Sequence, residues 1–122
     1  MAKILIVDDD TSTLKLYRRF LEQGGYEVIE TQNGIKVPEL LFYEQPDFMI
    51  CDLLMPERDG IETIADARNK YPNLIIIAIS GGASDGYNSY LDMTKDLGAN
   101  EVLVKPIKLD LLAKLISKYT VE

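Results

Sequence analysis

The sequence predicts an α/β protein whose five parallel strands lie in the order 2-1-3-4-5, with helices on both faces. Three observations support that class. Short apolar runs alternate five times with longer stretches of helical period, the pattern of a parallel sheet built from strand–helix repeats. The strongest runs, Ile4-Leu5-Ile6-Val7 and Leu74-Ile75-Ile76-Ile77-Ala78-Ile79, are continuous rather than alternating, as strands covered on both faces are. No linker, low-complexity tract or repeat divides the 122 residues, so one domain spanning 1–122 is expected. A domain of that size buries roughly two-thirds of its unfolded surface and folds without staples.

Strand 1 is expected over 3–7. Helix 1 follows over 11–23, with Asp10 as N-cap, because its short carboxylate can accept from the first free N–H groups. Thr13, Leu16, Tyr17, Phe20 and Leu21 fall at i, i+3, i+4, i+7 and i+8 and mark the expected apolar face. Gly24-Gly25 stops the helix. A weaker strand 2 covers 27–31. Asn33-Gly34 turns the chain into helix 2, 35–44, where Pro38 near the first turn predicts an irregular start, and Gln45-Pro46 ends it. Strand 3 covers 47–51, with Asp52 at its end. Helix 3 is expected over 59–70 with Ile61, Ile64, Ala65 and Arg68 on one side, followed by a Tyr71-Pro72-Asn73 turn. Strand 4, 74–79, is the most hydrophobic. Ser80 to Gly86 is small and glycine-rich and reads as a mobile loop. Helix 4 covers 87–97 and stops at Gly98. Strand 5 covers 101–104, and helix 5, 109–119, buries Leu111, Leu112, Leu115, Ile116 and Tyr119. Right-handed crossovers leave few topologies for such a chain. With five strands the natural one is flavodoxin-like, a doubly wound (βα)5 unit whose functional crevice lies beyond the C-terminal ends of strands 1 and 3.

Composition excludes several classes. Lys and Arg number 13 against 20 Asp and Glu, a net charge of −7, the opposite of the basic face a nucleic-acid-binding domain carries. It also argues against an anionic membrane surface as a partner. Cys51 is the only cysteine, so no internal disulfide forms and a reducing compartment is the simple reading. The first apolar run is too short for a signal-peptide core, and residues 74–79 fall far short of a membrane span; a cytoplasmic location is expected. The chain has no histidine, so any histidine chemistry belongs to a partner.

The residues that follow the strands carry the chemistry. Asp8 and Asp9 follow strand 1, Asp52 strand 3, Ser80 strand 4, and Lys105, then Pro106, strand 5. In the order 2-1-3-4-5 those strands are neighbours, so three carboxylates, a hydroxyl and an ammonium converge. Carboxylates forced together call for a cation, and hard oxygen ligands suit Mg2+. Lysine is a point-charge partner for phosphate, and a serine hydroxyl can donate to another phosphate oxygen. An aspartate in such company can be the nucleophile of phosphoryl transfer, forming an acyl phosphate.

The stretches ILIVDDD, PDFMICDLLMPERDG, IIIAIS and GANEVLVKP resemble the response-regulator receiver domain of two-component signalling across essentially the whole chain. The resemblance implies Asp52 as phosphoacceptor, Asp9 as a direct Mg2+ ligand, and Asp8 as support for the metal through water. The Leu54 main-chain carbonyl would be a further ligand. Ser80 would be the hydroxyl that the phosphoryl group draws inward, and Lys105 its cationic partner, with a cis bond to Pro106. Asp59-Gly60 would open helix 3 in a structural role. The donor would be a histidine kinase or a histidine phosphotransfer protein, and the output would pass through the face of helix 4, strand 5 and helix 5. Such a domain catalyses only its own phosphorylation and dephosphorylation.

Two features depart from the family pattern. Val102 stands where many receivers carry an aromatic residue, which removes the usual aromatic rotamer switch and leaves movement of the loop after Ser80 and helix 4. Leu54 and Gly82 occupy positions that influence hydrolysis, and neither side chain can orient water, so slow self-dephosphorylation is expected. Three other classes compete with this reading. A receiver-like module that binds partners without being phosphorylated is kept open by Val102. A haloacid-dehalogenase-type phosphatase would use Asp8 as nucleophile and Asp10 as acid/base, but leaves CDLLMPERDG unexplained. A flavodoxin-type electron carrier fails for want of a phosphate-cradling loop after strand 1.

Overall fold

The computed structural model describes residues 2–53, 60–81 and 95–120. In chain order it contains β1 (Lys3–Val7), α1 (Thr11–Gln23), β2 (Glu27–Thr31), α2 (Val37–Glu44), β3 (Phe48–Asp52), α3 (Gly60–Lys70), β4 (Ile75–Ser80), β5 (Glu101–Val104) and a C-terminal helix (Leu109–Thr120). The strands form one parallel sheet in the order β2-β1-β3-β4-β5, as the strand–helix alternation requires.

Side chains alternate across the sheet and build two cores. On one face Ile4, Ile6, Phe48, Ile50, Ile77, Ile79 and Leu103 meet Leu14, Tyr17 and Leu21 of α1 and Leu112 and Ile116 of the C-terminal helix. On the other Leu5, Val7, Met49, Cys51, Ile76 and Ala78 meet Val37 and Leu41 of α2 and Ile64 and Ala67 of α3. Cys51 is thus a buried core residue.

Several expected details shift. The seam of α1 runs through Leu14, Tyr17 and Leu21, while Leu16 is 52% exposed. Leu14 and Leu16 lie about 200° apart around a helix, so only one can face the sheet. Asp10 accepts from the Ser12 N–H at 3.0 Å and fixes where the helix begins. A 3-10 turn, Gly34–Lys36, precedes α2, with Pro38 in the first turn of the helix. In α3 the inward residues are Gly60, Thr63, Ile64 and Ala67; Ala65 is only partly buried, because the close seat of Gly60 sets the helix phase. Leu111 is 43% exposed, beside the buried Leu112. β3 and β4 each run one residue further than the apolar runs, so Asp52 pairs with Ile79 and Ser80 with Val104 inside the sheet.

Lys95 and Asp96 are helical and Gly98 turns with φ +129°. The remaining residues of the expected fourth helix (with Tyr87 and Tyr90), those of the expected loop beyond Gly81, including Gly82, and Leu54, Met55-Pro56 and Asp59 lie outside the described residues. No helix among the described residues is long and apolar enough to cross a membrane.

The N-terminal edge of the sheet is closed by polar ties. Lys3 donates from Nζ to the Glu44 carbonyl at 3.0 Å and from its main chain to Asp47 Oδ2 at 2.9 Å. Arg68, at the end of α3, donates to the carbonyls of Gly98, Tyr71 and Pro72 and to Asn100 Oδ1, which also accepts from the Ile76 N–H. On the edge strand β2, Glu27 and Glu30 are exposed and pair with Lys3 and Arg18 at 3.7 and 3.4 Å.

Candidate functional site

The C-terminal edge differs. Asp8 continues β1 by one bond, donating its N–H to the Thr31 carbonyl at 3.2 Å. Its side chain turns inward and is 2% exposed. Asp8 Oδ1 accepts from the Asp10 N–H at 2.9 Å. Oδ2 is buried without a hydrogen-bond partner among the described residues. Burial pushes the Asp8 carboxyl above its ordinary value, helped by the charges of Asp52 and Asp9 and opposed by the Asp10 N–H and Lys105.

Asp52, the last residue of β3, is 4% exposed. Lys105, just past β5, places Nζ 3.2 Å from Asp52 Oδ2 and 3.6 Å from Asp8 Oδ2. Burial alone would lower the Lys105 ammonium, but Asp52 and Asp8 outweigh it and hold the group above its ordinary value. Ser80 is buried at the end of β4, and its carbonyl accepts from the Lys105 N–H at 2.9 Å. The Lys105–Pro106 bond is cis. Asp9 is exposed at the mouth. Asp8, Asp9 and Asp52 each offer an oxygen, all within 4.8 Å of one another.

The strand order therefore gathers Asp8, Asp9, Asp52, Ser80 and Lys105 at one edge, and Leu54 lies outside the described residues. Two neighbours were not legible as contributors. The Asp10 main chain orients Asp8; the signal for it was Asp-x-Asp at i, i+2, an Asx-turn spacing. Gly60 packs on the Asp52 main chain, a contact across the loop that no local spacing reveals. Tyr17 lies beneath the cluster, its hydroxyl pushed far up by burial and by Asp8, Asp52 and Asp10.

Three carboxylates, one with a buried oxygen that has no hydrogen bond among the described residues, are a hard-donor set that fits a divalent cation such as Mg2+. The same geometry disfavours Asp10 as an acid/base, because its carboxylate is occupied by the Ser12 N–H and the Thr13 hydroxyl.

A doubly wound parallel sheet with an acidic cluster at its C-terminal edge is the architecture of the receiver class of signalling modules. Residues 4–117 match the response regulator receiver domain family, and the chain belongs to it. It is 35% identical over 118 residues to the response regulator receiver protein CpdR of Brucella abortus, covering 97% of this chain and 96% of that protein. It is 33% identical over 114 residues to the response regulator MprA of a Mycobacterium species, spanning 93% of this chain but about half (48%) of the relative. Among solved structures it resembles a CheY-like receiver domain from Methanospirillum hungatei, with a TM-score of 0.86 at 31% identity, covering 97% and 93% of the two chains. It also resembles the response regulator TrrA of Thermotoga maritima in complex with Mg2+-BeF, at 0.84 and 30%, covering 97% and 98%. Receiver domains are signalling modules rather than turnover enzymes and generally bind Mg2+ at an acidic pocket.

Proposed function

We propose that the chain is a phosphoacceptor receiver domain, taking a phosphoryl group from a phosphohistidine donor onto Asp52. The observation that carries this reading is the Lys105 ammonium poised between Asp52 and Asp8, beside a buried Asp8 oxygen with no hydrogen bond among the described residues. Asp9, Asp52 and the Leu54 carbonyl would hold Mg2+, with Asp8 supporting it. A cation bound there supplies charge neutralisation for phosphoryl oxygens.

The remaining work falls to the chain's own groups. An Asp52 carboxylate oxygen attacks phosphorus in line, the P–N bond to the donor imidazole breaks, and the imidazole leaves as the neutral base once protonated. Lys105 Nζ moves from carboxylate to phosphoryl oxygen, for which an ammonium is a point-charge partner. The Ser80 hydroxyl donates to a second phosphoryl oxygen. The donor is a histidine kinase or phosphotransfer protein, since this chain has no histidine. The output passes through the face of the fourth helix, β5 and the C-terminal helix. There Val102 is half-buried, and Glu101 accepts from Tyr119 at 2.7 Å and Lys118 at 3.0 Å.

Intact-mass analysis after incubation with acetyl phosphate and Mg2+ tests the reading. A phosphoryl-sized increment is expected in the native protein and none in Asp52→Asn. A native protein that never gains it, from acetyl phosphate or from a competent kinase, leaves the partner-binding module as the better reading.

A further inference from the structure

Gly60, the first residue of α3, has an unusual seat. A Cβ built on it would overlap the Asp52 carbonyl oxygen and lie 2.6 Å from Leu53 Cα, so main chain rather than a flexible side chain would have to shift. Its N–H donates to the Leu53 carbonyl at 3.1 Å, while the Leu53 N–H donates to the Ile79 carbonyl of β4 at 2.9 Å. The residue after Asp52 is thus pinned on one side by β4 and on the other by α3. Leu53 itself is fully buried.

We infer that Gly60 is a positioning residue for the Asp52 carboxylate: its missing side chain lets α3 close on the Asp52–Leu53 main chain, which fixes where that carboxylate points. The inference rests on the phosphoacceptor reading of Asp52. Any side chain at position 60 must push the Asp52–Leu53 peptide outward or lift the first turn of α3. Either movement shifts the carboxylate relative to Lys105 Nζ, now 3.2 Å away. A displacement on the order of 1 Å at a reacting group costs about a hundredfold in rate. The contact joins two segments whose sequence separation hides it, and the helix phase, with Gly60, Thr63, Ile64 and Ala67 inward, follows from the same close approach.

The test compares Gly60→Ala with Ile64→Val, which loosens the same helix one turn on without touching Asp52. Thermal unfolding is followed for both, and phosphorylation by acetyl phosphate is measured with Mg2+ well below both midpoints. Gly60→Ala is expected to lower the maximal rate by about tenfold to a hundredfold and to weaken Mg2+ binding, while Ile64→Val keeps the native values. Equal rates in Gly60→Ala and native protein overturn the inference, as does an equal rate loss in folded Ile64→Val. Absence of phosphorylation in the native protein sinks the phosphoacceptor reading instead. Should Gly60→Ala fail to fold, amide exchange in the native protein decides. Protection of the Gly60 N–H is expected to rise when beryllofluoride and Mg2+ occupy the site, and an unchanged rate overturns the inference.

Discussion

Two lysines sit among carboxylates at opposite ends of the same sheet, and they do different things. Lys3, at the start of β1, lies 3.7 and 3.5 Å from Glu27 and Glu44, whose side chains are 58% and 41% exposed. Lys105, past the end of β5, lies 3.6 and 3.2 Å from Asp8 and Asp52, whose side chains are 3% and 5% exposed. The distances match, but the solvent does not. At the N-terminal edge water screens the charges, and neighbouring carbonyls take up the donors. At the C-terminal edge Asp8 and Asp52 are shut away from water while Lys105 keeps 32% of its side chain exposed, the carboxylates crowd, and one Asp8 oxygen has no hydrogen bond among the described residues. Similar ion pairs thus serve as fastening in one place and as a held charge imbalance in the other.

The largest expected contrast comes from removing each lysine. Lys105→Met should slow phosphorylation by about a hundredfold or more, as loss of a group that stabilises developing phosphoryl charge does. Lys3→Met should leave the rate unchanged and cost at most about 1 kcal/mol in urea unfolding, as exposed pairs do. Equal behaviour of the two would erase the distinction.

Mg2+ should act on one edge only. At about a hundredfold excess over its Kd, a ligand that binds only the folded state adds about 2.7 kcal/mol. The native protein should gain this in thermal unfolding, and Asp8→Asn should gain much less. Without metal, Asp8→Asn should be more stable than native, because burial and crowding disfavour the Asp8 charge. The sign with pH follows. The raised Asp8 value means the folded protein holds a proton the unfolded chain has released. In the metal-free protein this group's contribution therefore improves as pH falls through its raised folded value towards the ordinary 3.8.

A smaller effect is expected at the fastened edge. Arg68→Lys replaces a planar fork that reaches Gly98, Tyr71, Pro72 and Asn100 with a single ammonium. Leaving some of those acceptors unmatched should cost about 1–3 kcal/mol, read by denaturant unfolding, with native phosphorylation in the folded fraction.

The smallest expected effect is at Glu101, whose carboxyl is held below its ordinary value by the Tyr119 hydroxyl and then by Lys118. Its stabilisation is present above the ordinary value of 4.5 and lost as pH falls through the lowered folded value. Tyr119→Phe should cost about 1 kcal/mol near neutral pH, and the deficit should shrink in acid unfolding experiments. A deficit that grows in acid would reverse the assignment.

The sheet order was legible because parallel strands buried on both faces must be continuously apolar, as residues 74–79 are, and because five of them with right-handed crossovers leave little choice. Gathering Asp8, Asp9, Asp52, Ser80 and Lys105 needed only that order. On α1 the expected face takes in Leu16 and Phe20, but Leu14 also lies at helical spacing from Tyr17 and Leu21, and packing on the sheet selects that seam and leaves Leu16 outside. In α3, Ala65 is expected inward because Ile61, Ile64, Ala65 and Arg68 fall at i, i+3, i+4 and i+7, whereas the close seat of Gly60 turns Thr63 and Ala67 inside. The ends of β3 and β4 were set one residue short, since a polar Asp52 or Ser80 reads as a stop even when the ladder carries on. Contacts between residues distant in sequence, such as Gly60 on Asp52 and Arg68 on Gly98, leave no periodic trace.

The edge strand β2 has a further consequence. It offers open main-chain groups along its outer side, where another chain could add itself and begin a fibril-like stack. Two exposed acids, Glu27 and Glu30, stand on opposite faces of this strand and pair with Lys3 and Arg18, so an incoming copy would have to accommodate charged side chains on both sides of the edge. Carboxylates on an unpaired border act as gatekeepers against self-templated aggregation.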